Sequence, residues 1–127
     1  MILVTGATGF VGRNVVKALR TRGKEVRCLV HTPSREKAVT DFRVEVAYGG
    51  ILDPSSLREA MRGVDTVVHL VAIIRERGHQ SFDLINRGGT EMVRQAAREE
   101  GVGHFVHMSA IGAQENPAFP YLYSKWQ

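Results

Sequence analysis

Met1-Ile2-Leu3-Val4-Thr5-Gly6-Ala7-Thr8-Gly9-Phe10-Val11-Gly12-Arg13 opens the chain, and its reading decides the fold. The run Met1 to Val4 is apolar throughout, as expected of a strand buried on both faces. Behind the glycines, Val11, Val15, Val16 and Leu19 fall on one helical face, and Arg13, Lys17, Arg20 and Arg22 on the others. Strand, glycine-rich turn and amphipathic helix make the first βα unit of a dinucleotide-binding fold. Gly6 suits the tight turn at the strand end. Gly9 lets a pyrophosphate approach the backbone, and Gly12 lets the helix lie close to the sheet. The free N–H groups and partial positive charge of a helix N-terminus favour the phosphates. The spacing is G-x-x-G-x-x-G, not the commoner G-x-G-x-x-G. Glycine triplets also occur in turns that merely connect elements. This one sits at the first strand–helix junction, the context that points to cofactor binding.

Outward from this unit the pattern alternates. Strands are predicted over 25–30, 43–48, 65–70 and 104–108, after the first one. A short helix is expected over 34–39. A second helix opens at Asp53-Pro54, where Asp caps free N–H groups and Pro suits the first turn, and stops at Gly63. The longest helix is predicted over 81–100, with Phe82, Ile85, Gly89, Met92, Val93, Ala96 and Ala97 on one face. Gly88-Gly89 weakens a helix interior, which makes sense if that helix lies very close to a sheet. Strands alternating with helices mean a parallel sheet with right-handed crossovers. The expected fold is α/β and Rossmann-like, a doubly wound sheet of order 3-2-1-4-5. Its ligand crevice would lie at the carboxyl ends of strands one and four.

The 127 residues, 43% hydrophobic and 24% charged, fit one domain with a real core. No apolar run approaches the ~20 residues that span a bilayer. The chain enters its first strand at Met1 without a basic, cleavable leader. Cys28 stands alone within a predicted strand, so it reads as a small buried hydrophobe. A cytoplasmic location is the expectation. The net charge of +4 comes from 17 basic and 13 acidic residues, dispersed over several helices and turns. Solvated helix faces and an anionic cofactor explain that charge as well as nucleic acid does, so no nucleic-acid partner is assigned. His31, His69, His79, His104 and His107 lack zinc-ligand spacing, and no metal is assigned.

Five ordered motifs carry a family resemblance. They are Thr5–Gly12, Gly63-Val64-Asp65-Thr66-Val67-Val68-His69-Leu70, Asn86-Arg87-Gly88-Gly89-Thr90, Met108-Ser109-Ala110-Ile111-Gly112-Ala113 and Tyr121-Leu122-Tyr123-Ser124-Lys125. Across its whole length the chain resembles the N-terminal part of atypical or extended short-chain dehydrogenase/reductases, a group that is NAD-dependent epimerase/dehydratase-like. Within them it is most similar to the nucleotide-binding accessory subunits of respiratory complex I and their bacterial relatives. The resemblance implies a cofactor site built from Gly6, Thr8, Gly9, Phe10, Val11, Gly12 and Arg13. His31 and Arg35 after strand two, Ile51 after strand three, Val71 and Ala72 after strand four, Asn86 and Lys125 would complete it. It further implies a catalytic pair in Y-x-x-x-K, here Tyr121 and Lys125. Residues i and i+4 share a helix face, and an ammonium beside a phenol favours the phenolate, which exchanges protons with a substrate hydroxyl or carbonyl.

Three departures from the family pattern bear on function. The usual catalytic serine falls on Ala110, with Ser109 one residue early. The Gly-Asp that usually meets the adenine after strand three reads Gly49-Gly50, leaving main-chain contacts near Ile51. The chain also stops two residues after Lys125, so it reads as one cofactor domain, 1–127, without its substrate half. No carboxylate ends strand two, where NAD-preferring members accept a hydrogen bond from the ribose. With Arg13 and Arg35 nearby, NADP(H) is the preferred cofactor and NAD(H) the alternative. An oxidoreductase or epimerase-like protein is the first expectation, with the fragment itself inactive. A non-catalytic dinucleotide-binding structural or redox-sensing protein is the second. Strand five would leave an open sheet edge, a route to a homodimer.

Overall fold

The computed structural model describes all residues from Met1 to Gln127. Five parallel strands form one sheet in the order β3-β2-β1-β4-β5. They are β1 (Ile2–Thr5), β2 (Val26–Val30), β3 (Glu45–Tyr48), β4 (Thr66–His69) and β5 (His104–His107). The helices are α1 (Phe10–Thr21), α2 (Lys37–Thr40), α3 (Pro54–Met61), α4 (Gly89–Glu99) and α5 (Pro120–Trp126). A 3₁₀ turn, Pro33–Arg35, precedes α2, so the short helix expected over 34–39 is two separate pieces. Pro33 accounts for the break, because it starts a turn whose hydrogen bonding restarts at Glu36.

Alternation along the central strands sends side chains to two cores. Leu3, Leu29 and Val67 meet Leu57 and Met61 of α3 and Val93, Ala96 and Ala97 of α4. On the other face Val4, Val26, Cys28 and Val30 meet Val16 of α1 and Val39 of α2. Each such burial contributes about 1.5–3 kcal/mol, which is why the central strands read as unbroken apolar runs. Cys28 is the small buried hydrophobe its surroundings suggested, and burial pushes its thiol up to about 12. Arg27 looks out of place in β2. Its guanidinium donates to the carbonyls of Ala60 and Arg62 at the end of α3 and pairs with Glu45 of β3. No helix is long and apolar enough to cross a membrane.

The expected helix over 81–100 divides. Asp83–Gly88 winds as a π-helix before α4 begins at Gly89. The reason proposed for the two glycines also changes. A Cβ on Gly89 would lie 2.4 Å from Cδ1 of Ile51, so the glycine admits a neighbouring side chain and not the sheet backbone. Met92, expected on the core face, is exposed at the edge of the α4 stripe, where Gly89, Val93, Ala96 and Ala97 form the buried line.

Candidate functional site

The site begins where β1 runs into α1. Gly6 holds a positive φ of 72°, and its own carbonyl accepts from the Gly9 N–H at 3.1 Å, closing the turn. The glycines then diverge in role. A Cβ on Gly12 would lie 2.1 Å from the Gly6 carbonyl oxygen, so helix packing itself requires glycine there. A Cβ on Gly9 would meet only that oxygen, at 3.3 Å, and Gly9 is extended backbone (φ −77°, ψ 172°). Nothing in the protein needs the space in front of Gly9. The N-cap makes no side-chain hydrogen bond, and the N–H groups of Phe10, Val11 and Gly12 have no acceptor in the chain. A helix of 12 residues thus presents unpaired donors and its positive end beside an open backbone. Pyrophosphate oxygens satisfy such donors.

From this turn a cavity of about 740 Å³ runs toward the carboxyl ends of β2 and β3. Gly6 and Thr8 line it at the glycine turn, and Leu29, His31, Gly49, Gly50, Ile51 and Leu52 where β2 and β3 end. Val71 and Ile73 after β4, and Leu84 and Ile85 on the π-helix, close the opposite side. Its lining is mostly apolar, with Thr8 and His31 among its polar groups. Asp53 also borders it. Its carboxylate accepts from the Ser55 N–H at 3.0 Å and the Ser55 hydroxyl at 2.7 Å, and these bonds hold it below the usual carboxylate range. It is the helix cap the sequence suggested. His31, Arg13 and Arg35 are exposed, and neither arginine has a carboxylate partner. The Arg13 guanidinium lies over the Phe10 ring, 5.6 Å from its centroid, which leaves its N–H edges open. Ala72 is exposed and lies outside this lining.

A polar row crosses the sheet at the carboxyl ends of the strands, buried at Thr5 and His69 and exposed at His107. Register places Thr5, His69 and His107 side by side. His69 is fully buried, stacked on His107 at 5.6 Å. The Thr90 hydroxyl donates to the Asn86 carbonyl at 2.6 Å, so it accepts from His69 Nε2 at 3.0 Å. Nδ1 therefore accepts from the Thr5 hydroxyl at 2.7 Å, and the imidazole is the neutral Nε2–H tautomer. Burial, followed by repulsion from His107 and Lys125, pushes His69 down to about 3.

This row leads to the remaining expected site residues. Asn86 is turned inward. Its Oδ1 accepts from the Ile73 N–H at 2.8 Å, and its Nδ2 donates to the Ile73 carbonyl and to Ser124 Oγ. The amide is spent on bracing the β4–α4 loop against α5. Tyr121 and Lys125 lie on α5, as their spacing implied. Tyr121 packs its ring against Phe82, centroids 5.9 Å apart. Lys125 is only 8% exposed and opens into a second cavity of about 430 Å³ beside His107, Asn86 and Thr90. Burial lowers its ammonium below the ordinary lysine value. Ser109 Oγ donates to the Lys125 carbonyl at 3.5 Å. The structure joins Ser109, Asn86 and Lys125 around α5. It keeps them apart from the lining of the 740 Å³ cavity, which contains none of the three.

Beyond Val71 and Ala72, sequence reading assigned no site role to the rest of the segment after β4, residues 73–80, and it reaches the cavity. Arg77 and Gln80 exchange backbone hydrogen bonds of 3.1 and 2.9 Å, and the Phe82 N–H donates to Glu76 at 2.8 Å. This small hairpin places His79 and Gln80 on the cavity wall. The available signal was its position, directly after β4 at the switch point of the sheet.

Comparison with known proteins agrees with this geometry. Residues 6–127 match the family described as NAD(P)H-binding. The chain is 42% identical to sterol demethylase protein B of Methylococcus capsulatus over 113 residues, 87% of this chain and 34% of that protein. It therefore spans about a third of that relative's length. A crystal structure of a short-chain dehydrogenase/reductase superfamily protein from Agrobacterium tumefaciens with bound NAD superposes with a TM-score of 0.78 at 32% identity, covering 99% of this chain and 42% of that one. The Citrobacter triphenylmethane reductase complexed with NADP(H) gives 0.79 at 26% identity, covering 99% and 43%. Fold, glycine turn, open helix end and these likenesses converge: the chain belongs to the NAD(P)H-binding family of Rossmann-like short-chain dehydrogenase/reductase proteins.

Proposed function

We propose that these residues hold NADPH, in preference to NADH, for an oxidoreductase acting on a carbonyl or related group. One observation carries the reading: the N–H groups of Phe10, Val11 and Gly12 have no acceptor in the chain, at the helix end that directly follows Gly6 and Thr8 of the cavity wall. The preference rests on Arg13 and Arg35, which have no ion-pair partner, on His31 at the cavity wall, and on the lack of a carboxylate at the end of β2. A ribose 2′-phosphate meets cations there, and an unphosphorylated ribose finds no acceptor. When bound, the reduced nicotinamide supplies a hydride. The chain's own part is to clamp the pyrophosphate at the α1 N-terminus and to hold a proton at the Tyr121 phenol, with Lys125 one turn further along α5. Tyr121 borders neither of the two cavities described, so residues 1–127 alone are proposed to have no turnover. Titration calorimetry with NADPH and NADH tests the reading, and tighter NADPH binding is expected. Equal affinities, or tighter NADH, refute the preference, and no binding of either refutes the site.

A second reading has its own support. Ala110 occupies the usual place of the catalytic serine, and Lys125 opens away from the dinucleotide cavity. These favour a protein that keeps the dinucleotide as a structural or redox-sensing element, as in the complex I accessory group that the sequence resembles. NADPH oxidation against quinones, ketones and nucleotide sugars, with the 127 residues carried in the whole protein, separates the readings. Turnover that disappears in Tyr121→Phe supports the enzyme.

A further inference from the structure

Gly49 and Gly50 leave the end of β3 without a side chain for a base edge, yet the cavity they border has room for one. Besides the glycine loop, the polar side chains on its wall are those of His31, Asp53, His79 and Gln80. Asp53 is committed to Ser55. His31 follows β2, where the ribose and its phosphate belong, and its Nδ1 lies 3.5 Å from the Thr32 hydroxyl. Gln80 is different. Its backbone is fixed by both hydrogen bonds to Arg77, and the adjoining Phe82 N–H is tied to Glu76. Its carboxamide has no hydrogen-bond partner in the chain. This hairpin thus presents a free amide to the same cavity that Gly49 and Gly50 line.

We infer that Gln80 reads the edge of the adenine ring, in the role that a carboxylate after β3 would otherwise fill. This deepens the dinucleotide reading above and rests on it. A carboxamide carries a donor and an acceptor side by side, and so does the adenine edge, with its 6-amino group and ring nitrogens. A carboxylate only accepts. A glutamine can also turn over and present its two groups in reverse order. The site therefore accepts hypoxanthine, whose 6-oxo group accepts and whose N1–H donates. The hairpin becomes a selectivity element for purines, supplied by the segment after β4 and not by β3.

The experiment uses Gln80→Ala and His79→Ala, with wild type as reference. Calorimetric titrations employ NADPH, adenosine 2′,5′-bisphosphate and the inosine counterpart of that bisphosphate. Gln80 is exposed, so both variants should keep the wild-type circular dichroism spectrum. The expected result is a loss of about ten-fold for Gln80→Ala with all three ligands. Wild type should bind the adenosine and inosine forms within about three-fold of each other, since the amide pairs with both edges. His79→Ala, on the same wall, should lose less than Gln80→Ala with every ligand. Wild-type affinity in Gln80→Ala overturns the inference, as does a loss with NADPH that the bisphosphate does not share. A loss in His79→Ala as large as that in Gln80→Ala overturns it too. If wild type binds none of the three ligands, the dinucleotide reading itself fails; if it binds all three and Gln80→Ala is silent, only Gln80 is wrong.

Discussion

A Cβ on Gly12 would strike the Gly6 carbonyl oxygen at 2.1 Å, whereas one on Gly9 would meet the same oxygen only at 3.3 Å. The two substitutions should therefore separate stability from binding. Gly12→Ala forces backbone into backbone, and we expect a loss of about 3 kcal/mol in urea unfolding. Gly9→Val should cost less, about 1 kcal/mol for one tight contact, and lose dinucleotide binding in calorimetry, because a branched side chain fills the pyrophosphate's place. Normal binding by a folded Gly9→Val would show the turn to be only structural. His69 gives a second test. Its folded value, about 3, lies below the ordinary 6.5, so the folded state favours the neutral ring. Stability is then full above pH 6.5 and falls as pH drops toward 3, at about 1.4 kcal/mol per unit. Urea unfolding at pH 7 and pH 5 should differ by about 2 kcal/mol from this group. Burial pushes the neighbouring His107 the same way, more weakly. The difference should shrink in His69→Gln.

Among the elements, α4 and the turn at Ile51 are coupled through one missing side chain. Gly89 begins α4, and Ile51 fills the space its Cβ would take while also forming the cavity wall. Gly89→Ala gains up to about 1 kcal/mol of helix propensity. The atom it meets is the end of a flexible side chain, so Ile51 turns aside at modest cost. We expect stability within about 1 kcal/mol of wild type and NADPH affinity several-fold weaker, read by thermal melts and calorimetry. Unchanged affinity would mean that Ile51 does not shape the bound adenosine. The Asp53 cap, the Pro54 start and the Val15, Val16 and Leu19 part of the α1 stripe were legible because each is a local rule written in neighbouring residues, whereas Val11, expected on that face, is exposed. The π-helix over Asp83–Gly88 was not. It inserts extra residues into a turn because Asn86 is held by Ile73 and Ser124, partners 13 and 38 positions away.

At the level of the whole molecule, the sheet ends in β3 and β5, which have neighbours on one side only. β5 exposes Val106 at 51%, and Met108 and Ile111 follow it on the surface. An exposed strand edge with apolar neighbours pairs readily with another copy. We expect concentration-dependent dimerisation of residues 1–127 in sedimentation velocity, abolished by Val106→Lys. A monomer at all concentrations would refute the edge as an interface.

Periodicity and the glycine turn were enough for the α/β class and the strand order 3-2-1-4-5, and the turn marked the α1 N-terminus that is proposed to hold the phosphates. These follow from short-range rules: alternation in strands, 3.6-residue stripes in helices, right-handed crossovers and a helix end that needs acceptors. Strand ends moved by only one or two residues, since apolar runs mark burial better than hydrogen-bond limits. What packing alone decided was which polar side chains remain free. Asn86, expected at the cofactor, is consumed by Ile73 and Ser124, and Lys125 turns into a separate cavity. Gln80, with no motif around it, stands unpaired on the dinucleotide wall. A motif names a residue type and a position along the chain. Whether its hydrogen bonds are already satisfied depends on residues brought near by folding, and that information is not local.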